Sequence, residues 1–245
     1  MPTEKAVKPQ KPQTEGPKLL PVSRETLNDQ IFASLKRNMM MGRFVPGQKL
    51  PLRGLSKMLG TSLIPVRDAL QRLETFGCLT TTGNRTMMVP MLTEKEFMDV
   101  RRLRVVLEGT AASAASVNRT KEELIFLKKC IDDIEKSAVN CDMDLFLQAN
   151  YHFHMAIAEA SRISFLTSIL EPLWLRIGPV VRQSMPGKQH FDMAVKGHRL
   201  IYKAIADGNA HYATEAIRHD IEDCNNEGII LNLTFSDGNL GASDS

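Results

Sequence analysis

The sequence lacks an apolar run long enough to span a membrane, and its first residues include lysines and prolines but no apolar signal core. These absences predict a protein that is neither exported nor embedded in a membrane. The four cysteines, Cys78, Cys130, Cys141 and Cys224, show neither paired spacing nor a C-x-x-C arrangement. We therefore expect reduced thiols in a cytoplasmic protein.

Charge is unevenly distributed, although the net charge of the 245 residues is only +3. Residues 1–24 hold five basic and two acidic side chains, residues 25–92 hold nine and four, and the remainder holds 17 and 22. Because phosphate contact requires positive potential, the basic part predicts nucleic-acid binding. The acidic remainder is expected to stay away from DNA.

A helix-turn-helix pattern lies between Leu52 and Gly77. A short helix from Leu52 ends at Gly60, and Ser62 stands where an N-cap is expected, so its side-chain oxygen can accept from a free amide. Pro65 falls in the first turn of the next helix, where its missing N–H costs little. The apolar stripe of this second helix, which predicts its packed face, is Val66, Ala69, Leu70 and Leu73. The opposite face, free to touch a partner, holds Ile64, Arg67, Asp68 and Gln71.

Two short strands, 78–82 and 87–91, are predicted after Gly77, joined through Gly83, Asn84 and Arg85. Upstream, a helix over 25–41 places Leu27, Ile31 and Leu35 on one face, and Pro46-Gly47 makes the turn out of it. A winged helix-turn-helix of this kind puts its second helix into the DNA major groove. A small helical hairpin with a β-flap is the alternative that spacing alone leaves open. Residues 1–22 are expected to be disordered, as a basic arm on DNA or a bare solvated tail.

Several segments resemble the GntR family of bacterial transcription regulators over roughly residues 25–92. They are Pro46 to Leu50, the LSKMLG run from Leu55, the SLIPVRDAL run from Ser62, the GCL step at Gly77 and the NR pair at Asn84. The resemblance implies that domain 23–92 binds DNA through Arg53, Arg67, Asn84 and Arg85. The expected DNA-binding residues also include Ser62, Ile64, Pro65 and Gln71, which lie at the start or on the free face of the recognition helix. Leu63 and Thr86 replace the arginine and glycine common in the family, so an unusual operator is expected.

From Thr93, a plausible helix cap, the periodicity is helical throughout. The predicted helices are 94–117, 120–138, 142–161, 163–184 (interrupted at Pro172 and Pro179), 191–207 and 209–228. Such segments should form an antiparallel bundle over residues 93–230, followed by a flexible tail at 231–245. The fold class is therefore mainly α, a winged helix-turn-helix followed by an all-α bundle. Met185-Pro186-Gly187 opens a loop that could gate a cavity.

Four polar side chains fall on or beside the apolar stripes of the bundle. Asn150 and His154 are one helical turn apart and can reach one point, His198 lies on a later helix, and Asp220 sits amid the last stripe, Ala213, Ala216, Ile217, Ile221 and Cys224. His152 and His219 point elsewhere. An amide, two imidazoles and a carboxylate suit a divalent metal such as Zn, Ni or Mn. A hydrogen-bonded core network is the equally weighted alternative.

Residues 94–228 resemble the FCD effector domain of the FadR subfamily, through the RVVLE run from Arg104, NYHFH from Asn150, GHRLI from Gly197 and AIRHDI from Ala216. The resemblance implies metal ligation by Asn150, His154, His198 and Asp220. Asn150 stands where the family has aspartate, and Asp220 where it has histidine. It also implies a small carboxylate effector, for which Arg104 is the expected clamp, with Arg176 and Arg182 as weaker candidates. A salt bridge is the alternative role of each arginine.

The function expected from these features is a ligand-responsive transcription regulator, more often a repressor in the family. A homodimer would bind a pseudo-palindromic DNA operator, and a carboxylate metabolite would shift the two wings. One competing interpretation is a metal-dependent helical-bundle enzyme. Another is a constitutive DNA-binding protein whose second domain only dimerises.

Overall fold

The first part of the chain forms a winged helix-turn-helix. The computed structural model describes residues 27–83, 85–184 and 188–223. Its first elements are α1 (Leu27–Met40), β1 (Lys49–Leu50), α2 (Leu52–Met58), α3 (Leu63–Thr75), β2 (Thr80–Thr81) and β3 (Met87–Met88). Gly77 follows α3 with a φ of 66°, a left-handed conformation that favours glycine and ends the helix where the sequence predicts.

The wing contains a strand that the sequence did not reveal. β3 lies between β1 and β2, and both pairings are antiparallel, with Met88 opposite Lys49 on one side and Thr80 on the other. β1 was missed because a two-residue strand is too short to show alternation. Its partner also lies far along the chain, so no local turn signals the pairing.

The predicted packing of α3 is confirmed. Val66, Ala69 and Leu73 are fully buried, and Ile31 and Leu35 of α1 belong to the same apolar cluster. The predicted side-chain cap is wrong, however. Ser62 occupies the N-cap position with an extended backbone, but its side chain makes no cap hydrogen bond.

The second part of the chain is helical, as predicted. Its helices are α4 (Glu94–Asn118), α5 (Lys121–Asn140), α6 (Met143–Ala160), α7 (Leu166–Ser184), α8 (Lys188–Ala206) and α9 (Ala210–Asp223). Thr93 caps α4 in a capping box, accepting from the Glu96 amide at 3.1 Å while the Glu96 carboxylate accepts from the Thr93 amide at 2.8 Å. Helix α4 packs on α6 and α9, while α8 packs on α5 and α9.

Helix α7 runs unbroken through Pro172 and Pro179, so the predicted interruption is wrong. Each proline removes an intrahelical hydrogen bond, which in isolation favours a break. Here Leu170, Trp174 and Leu175 are at most 4% exposed, and α7 packs against α1, α4 and α6. Burial on several sides therefore outweighs the local preference.

The two domains dock through α1 and α7. At Gly178 a side chain would collide with the backbone, because a Cβ there would lie 2.6 Å from the Met39 carbonyl oxygen. Glycine thus lets α7 approach the end of α1 closely. Lys36 forms a 2.8 Å ion pair with Glu171, and Arg43 forms one of 2.6 Å with Asp144. These contacts join the winged domain to the bundle directly.

Some predicted features lie outside the described residues. They are the tails 1–22 and 231–245, the start of the first helix, Asn84, the loop Met185-Pro186-Gly187 and Cys224. Of the other cysteines, Cys78 and Cys130 are buried and Cys141 is exposed, and all three are free thiols.

Candidate functional site

A groove of about 930 Å³ lies between α2, α3 and the wing. Arg53, Arg67, Gln71 and Arg85, four of the predicted DNA-binding residues, line this groove and are exposed. Within the described part of the chain, no ion pair or side-chain hydrogen bond engages the three guanidinium groups. They are therefore available to phosphates or to base edges.

The other predicted DNA-binding residues differ in their exposure. Ser62 and Ile64 are exposed at the start of α3, Ile64 to 66%. Pro65, in the first turn of α3, is buried, so unlike Ser62 and Ile64 it does not present an exposed side chain. Leu63, where an arginine is common, lines the groove as an apolar side chain.

The four predicted metal-site residues come together inside the bundle. Asn150 and His154 project from α6, His198 from α8 and Asp220 from α9, and each is at most 8% exposed. His154 Nε2 lies 3.4 Å from Asp220 Oδ2, and His198 Nδ1 lies 3.3 Å from Asp220 Oδ1. His198 Nε2 lies 2.7 Å from Asn150 Oδ1. Three of the four, His154, His198 and Asp220, present ligand atoms within 4.8 Å of one another.

The surroundings of His198 fix which of its nitrogens carries a proton. Nδ1 lies 2.7 Å from the Ala194 carbonyl oxygen, an acceptor only, and also faces Asp220. Nδ1 is therefore the donor, and the lone pair of a neutral ring is on Nε2, directed at Asn150. Two acceptors facing each other at 2.7 Å repel unless a cation lies between or beside them, or the amide turns its NH2 group toward the ring. The first arrangement is a metal site and the second a hydrogen-bond network.

Glu108 of α4 is a fifth member of the cluster. Its Oε2 atom lies 2.6 Å from His154 Nδ1, and its Oε1 atom accepts from Arg104 Nε at 2.6 Å. The Arg104 guanidinium also stacks on Trp174, 3.9 Å from the ring centroid. A carboxylate behind a ligating histidine is the usual second-layer support of a metal site, because it orients the ring.

Burial and charge act in opposite directions on these groups. Burial lowers the pKa of His154, but the Glu108 and Asp220 carboxylates outweigh it and raise the pKa to about 9. Burial lowers the pKa of His198, although Asp220 opposes this. For Asp220, burial raises the pKa, but His198 and His154 hold it below its ordinary value. The carboxylate is thus ionised between the two rings.

The three predicted effector arginines lie in different surroundings. Arg104 is 6% exposed and paired to Glu108. Arg176 lies against the backbone of Gly77, at the end of the recognition helix. Arg182 donates to the Met41 carbonyl oxygen at 2.9 Å and to Asp144 Oδ1 at 2.7 Å. Arg176 and Arg182 therefore lie at the domain junction, and their role in effector binding stays a prediction.

Comparison with known families matches both parts of the chain. Residues 27–89 match the family described as "Bacterial regulatory proteins, gntR family", and residues 99–223 match the FCD domain. The chain belongs to the GntR family, with an FCD domain. It is a transcription regulator, and regulators of this family bind DNA operators.

Individual relatives agree with this placement. The chain is 30% identical over 154 residues to the "HTH-type transcriptional regulator McbR" of Escherichia coli (strain K12), covering 63% of this chain and 70% of McbR. It is 25% identical over 202 residues to the "Probable D-xylose utilization operon transcriptional repressor" of Paenarthrobacter nicotinovorans, covering 82% and 88%. The solved structure "E. coli McbR/YncC" superposes with a TM-score of 0.77 at 24% identity, covering 82% and 95%, which supports the fold.

The buried cluster of this GntR regulator fits a divalent cation. FCD domains are often associated with metals, and two imidazoles, a carboxylate and an amide are nitrogen and oxygen ligands of the kind such ions accept. Both ring nitrogens of His154 are buried and face carboxylates, Nδ1 facing Glu108 at 2.6 Å and Nε2 facing Asp220 at 3.4 Å. In the described residues, no helix has the length and apolar character needed to cross a bilayer.

Two members of the site escaped sequence reasoning, Glu108 and Trp174. Glu108 had a usable signal, since it follows Arg104 by four residues and residues four apart share a helix face. Trp174 is the single tryptophan of the chain, but nothing in the pattern of α7 places its ring 5.1 Å from that of His154.

Proposed function

We propose that this GntR regulator binds a pseudo-palindromic operator as a homodimer, usually to repress transcription. A small carboxylate metabolite bound in the FCD domain, with a divalent metal (Zn, Ni or Mn), controls operator affinity. No turnover of the metabolite is part of this function. The observation that supports this proposed function is the connection from the buried cluster through α7 to the winged domain.

The DNA-binding role rests on the groove beside α3. Three exposed guanidinium groups from α2, α3 and the wing line one depression, and positive charge is concentrated in this part of the sequence. Arg67 is the strongest candidate for a base contact because it lies near the N-terminal end of the recognition helix. Arg53 and Arg85 flank it and suit phosphate contact.

The metal would be held by His154, His198, Asp220 and the amide oxygen of Asn150. When bound, it would supply a positive centre on which an anionic effector group can be recognised. Glu108 orients His154 from behind, and the Ala194 carbonyl orients His198. These contacts leave His154 Nε2 directed toward Asp220 and His198 Nε2 directed toward the Asn150 amide.

Helix α7 supplies the coupling between the domains. Trp174 packs against the His154 ring and under the Arg104 guanidinium. The next residue, Leu175, is fully buried in the apolar cluster of the winged domain, beside residues of α1 and α3. A shift of the buried cluster on effector binding would therefore move a helix that is part of the DNA-binding domain's own core.

Homodimerisation is supported by an apolar face that this chain leaves exposed. Leu103 and Val106 of α4 are 51% and 65% exposed and lie one turn apart. A second copy packed on this face would bury it. A twofold dimer would also present two recognition helices to two operator half-sites.

The first experiment is elemental analysis by mass spectrometry on protein purified without a nickel column. We expect one metal ion per chain in the wild type, its loss in His198→Ala and its retention in the control His211→Ala, which removes an exposed histidine of α9. Absence of metal after incubation with Zn, Ni and Mn would instead establish the hydrogen-bond network.

The regulatory part needs a second measurement. Operator fragments selected from genomic DNA would be titrated by fluorescence anisotropy, with and without a panel of carboxylates. We expect a carboxylate to change operator affinity and to be recovered chemically unchanged. Operator binding that no carboxylate alters would favour a constitutive DNA-binding protein, and consumption of the carboxylate would favour an enzyme.

A further inference from the structure

Leu63 is the most exposed large apolar side chain among the described residues that line the groove beside α3. It is 37% exposed, whereas Leu50 and Leu70 of the same groove are 2% exposed and belong to the core of the winged domain. Those two leucines stabilise the fold. Leu63 instead presents an apolar surface to whatever enters the groove.

The position of Leu63 on α3 suits contact with bases. It is the first residue of this helix, and the N-terminal residues of a recognition helix contact base edges. Leu63, Arg67 and Gln71 follow one another at intervals of four, so they share one face of the helix, and all three line the groove. The two polar members of this face can form hydrogen bonds with bases, but the leucine side chain has neither a donor nor an acceptor.

The major groove of DNA offers one apolar group to a protein, the C5-methyl group of thymine. The other base edges present hydrogen-bond donors and acceptors there. A leucine that covered such an edge would remove water from a polar group without replacing the lost hydrogen bond, which is unfavourable. A thymine is favoured instead, because its methyl group and the leucine side chain shield each other from water.

We infer, on the basis of the DNA binding proposed above, that Leu63 determines operator specificity by contacting the C5-methyl group of a thymine. The place of this thymine follows from helix geometry. Four residues of an α-helix span about 6 Å along its axis, and successive base pairs are about 3.4 Å apart. The thymine therefore lies within about two base pairs of the base that Arg67 contacts.

The test replaces thymine in the operator by uracil, which keeps the same hydrogen-bonding groups and lacks only the methyl group. Each thymine of the selected operator is replaced in turn, and binding of the full-length protein is measured by fluorescence anisotropy. We expect one position, repeated in each half-site, at which uracil weakens binding of the wild type by roughly fourfold, the effect of losing one buried methyl-sized group. This position should lie within about two base pairs of the one at which Arg67→Ala relaxes the base preference.

Variants of the leucine show whether this side chain is the cause. In Leu63→Ala the same uracil substitution should change affinity by less than about 1.5-fold, because the apolar contact is already lost. Leu63→Met keeps an apolar side chain of similar volume and should retain most of the effect of uracil. Ile64→Ala is the matched control. Ile64 is 66% exposed, but it points about 100° away around the helix and is not one of the described residues that line the groove, so the effect of uracil should remain.

The outcomes separate this inference from the proposed function. If the wild type prefers the selected operator to a scrambled duplex but no uracil substitution weakens binding, DNA recognition stands and the thymine contact is overturned. If uracil weakens the wild type and Leu63→Ala equally, or its effect disappears in Ile64→Ala, the assignment to Leu63 is wrong. If the wild type prefers no selected duplex, operator binding fails and the inference fails with it. Circular dichroism and unchanged affinity for the scrambled duplex establish that each variant is folded.

Discussion

Trp174 and Leu175 are consecutive residues of α7 whose side chains pack in the cores of different domains. The Trp174 ring lies 5.1 Å from the His154 ring in the FCD domain, whereas Leu175 is fully buried in the apolar cluster of the winged domain. Neighbouring positions on a helix point about 100° apart, so one rigid element can contact both sites. Polar contacts support the same junction, since Asp144 pairs with both Arg43 and Arg182.

Trp174→Phe should uncouple effector binding from DNA binding. The smaller ring keeps the site apolar but loses part of the contact with His154 and Arg104, so the effector's influence on α7 weakens. We expect operator affinity without effector to stay within about twofold, while the coupling free energy falls by roughly 0.5–2 kcal/mol. Anisotropy titrations with and without effector measure both quantities. Tyr202→Phe, an aromatic substitution elsewhere in the bundle, is the control, and equal loss of coupling in both variants would contradict a special role for Trp174.

Asn150→Asp should strengthen metal binding. A carboxylate replaces a neutral amide 2.7 Å from His198 Nε2, and the added negative charge favours a divalent cation. We expect metal affinity to rise by roughly tenfold in competition with a chromophoric chelator. Asn140→Asp makes the same change of charge at an exposed position of α5 and should leave affinity unaltered. Weaker metal binding in Asn150→Asp would indicate that the amide donates to His198 instead of facing a cation.

Glu108→Gln should destabilise the FCD domain strongly. The change leaves the Arg104 guanidinium, 6% exposed, without its charged partner. Removing one partner of a buried ion pair costs about 3–5 kcal/mol in the free energy of unfolding. Glu135→Gln breaks the exposed pair with Arg199 and should cost less than about 1 kcal/mol. Urea denaturation followed by circular dichroism measures the free energy of unfolding of both variants. Similar losses of stability would show that the Arg104–Glu108 pair is well solvated.

Arg67→Ala should weaken operator binding by about 1–3 kcal/mol if it contacts a base edge. Arg72 offers a matched control on the same helix, because it is paired to Asp29 at 2.9 Å and stacked on Phe32, away from the groove. Arg72→Ala is expected to change operator affinity little. Anisotropy with the selected operator and with a scrambled duplex measures both affinity and specificity. A greater loss in Arg72→Ala would move the DNA contact to the other side of α3.

The spacing of apolar residues in the sequence was sufficient to predict the main helices of this fold. Apolar residues at helical spacing depend only on which side chains avoid water, so α3 and the bundle helices were predicted with nearly their observed bounds. The convergence of Asn150, His154, His198 and Asp220 could be predicted for a similar reason, since each lies on or beside a stripe that must face the core. Local preference failed at β1 and α7. A two-residue strand is too short to predict from alternation, and the two prolines predict a break that burial of α7 overrides. Both outcomes depend on contacts with distant parts of the chain.

The sequence by itself determined that this protein is a DNA-binding helical regulator with a polar cluster in its effector domain, because periodicity, charge and motif are properties of neighbouring residues. Tertiary structure alone decided what each polar side chain does. The sequence does not distinguish Arg104, Arg176 and Arg182, but one is buried against Glu108 and two lie at the domain junction. Glu108 shares α4 with Arg104, but the Trp174 ring that stacks on Arg104 and the groups that contact Arg176 and Arg182 come from other elements. Long-range packing, which no local pattern encodes, sets those partners.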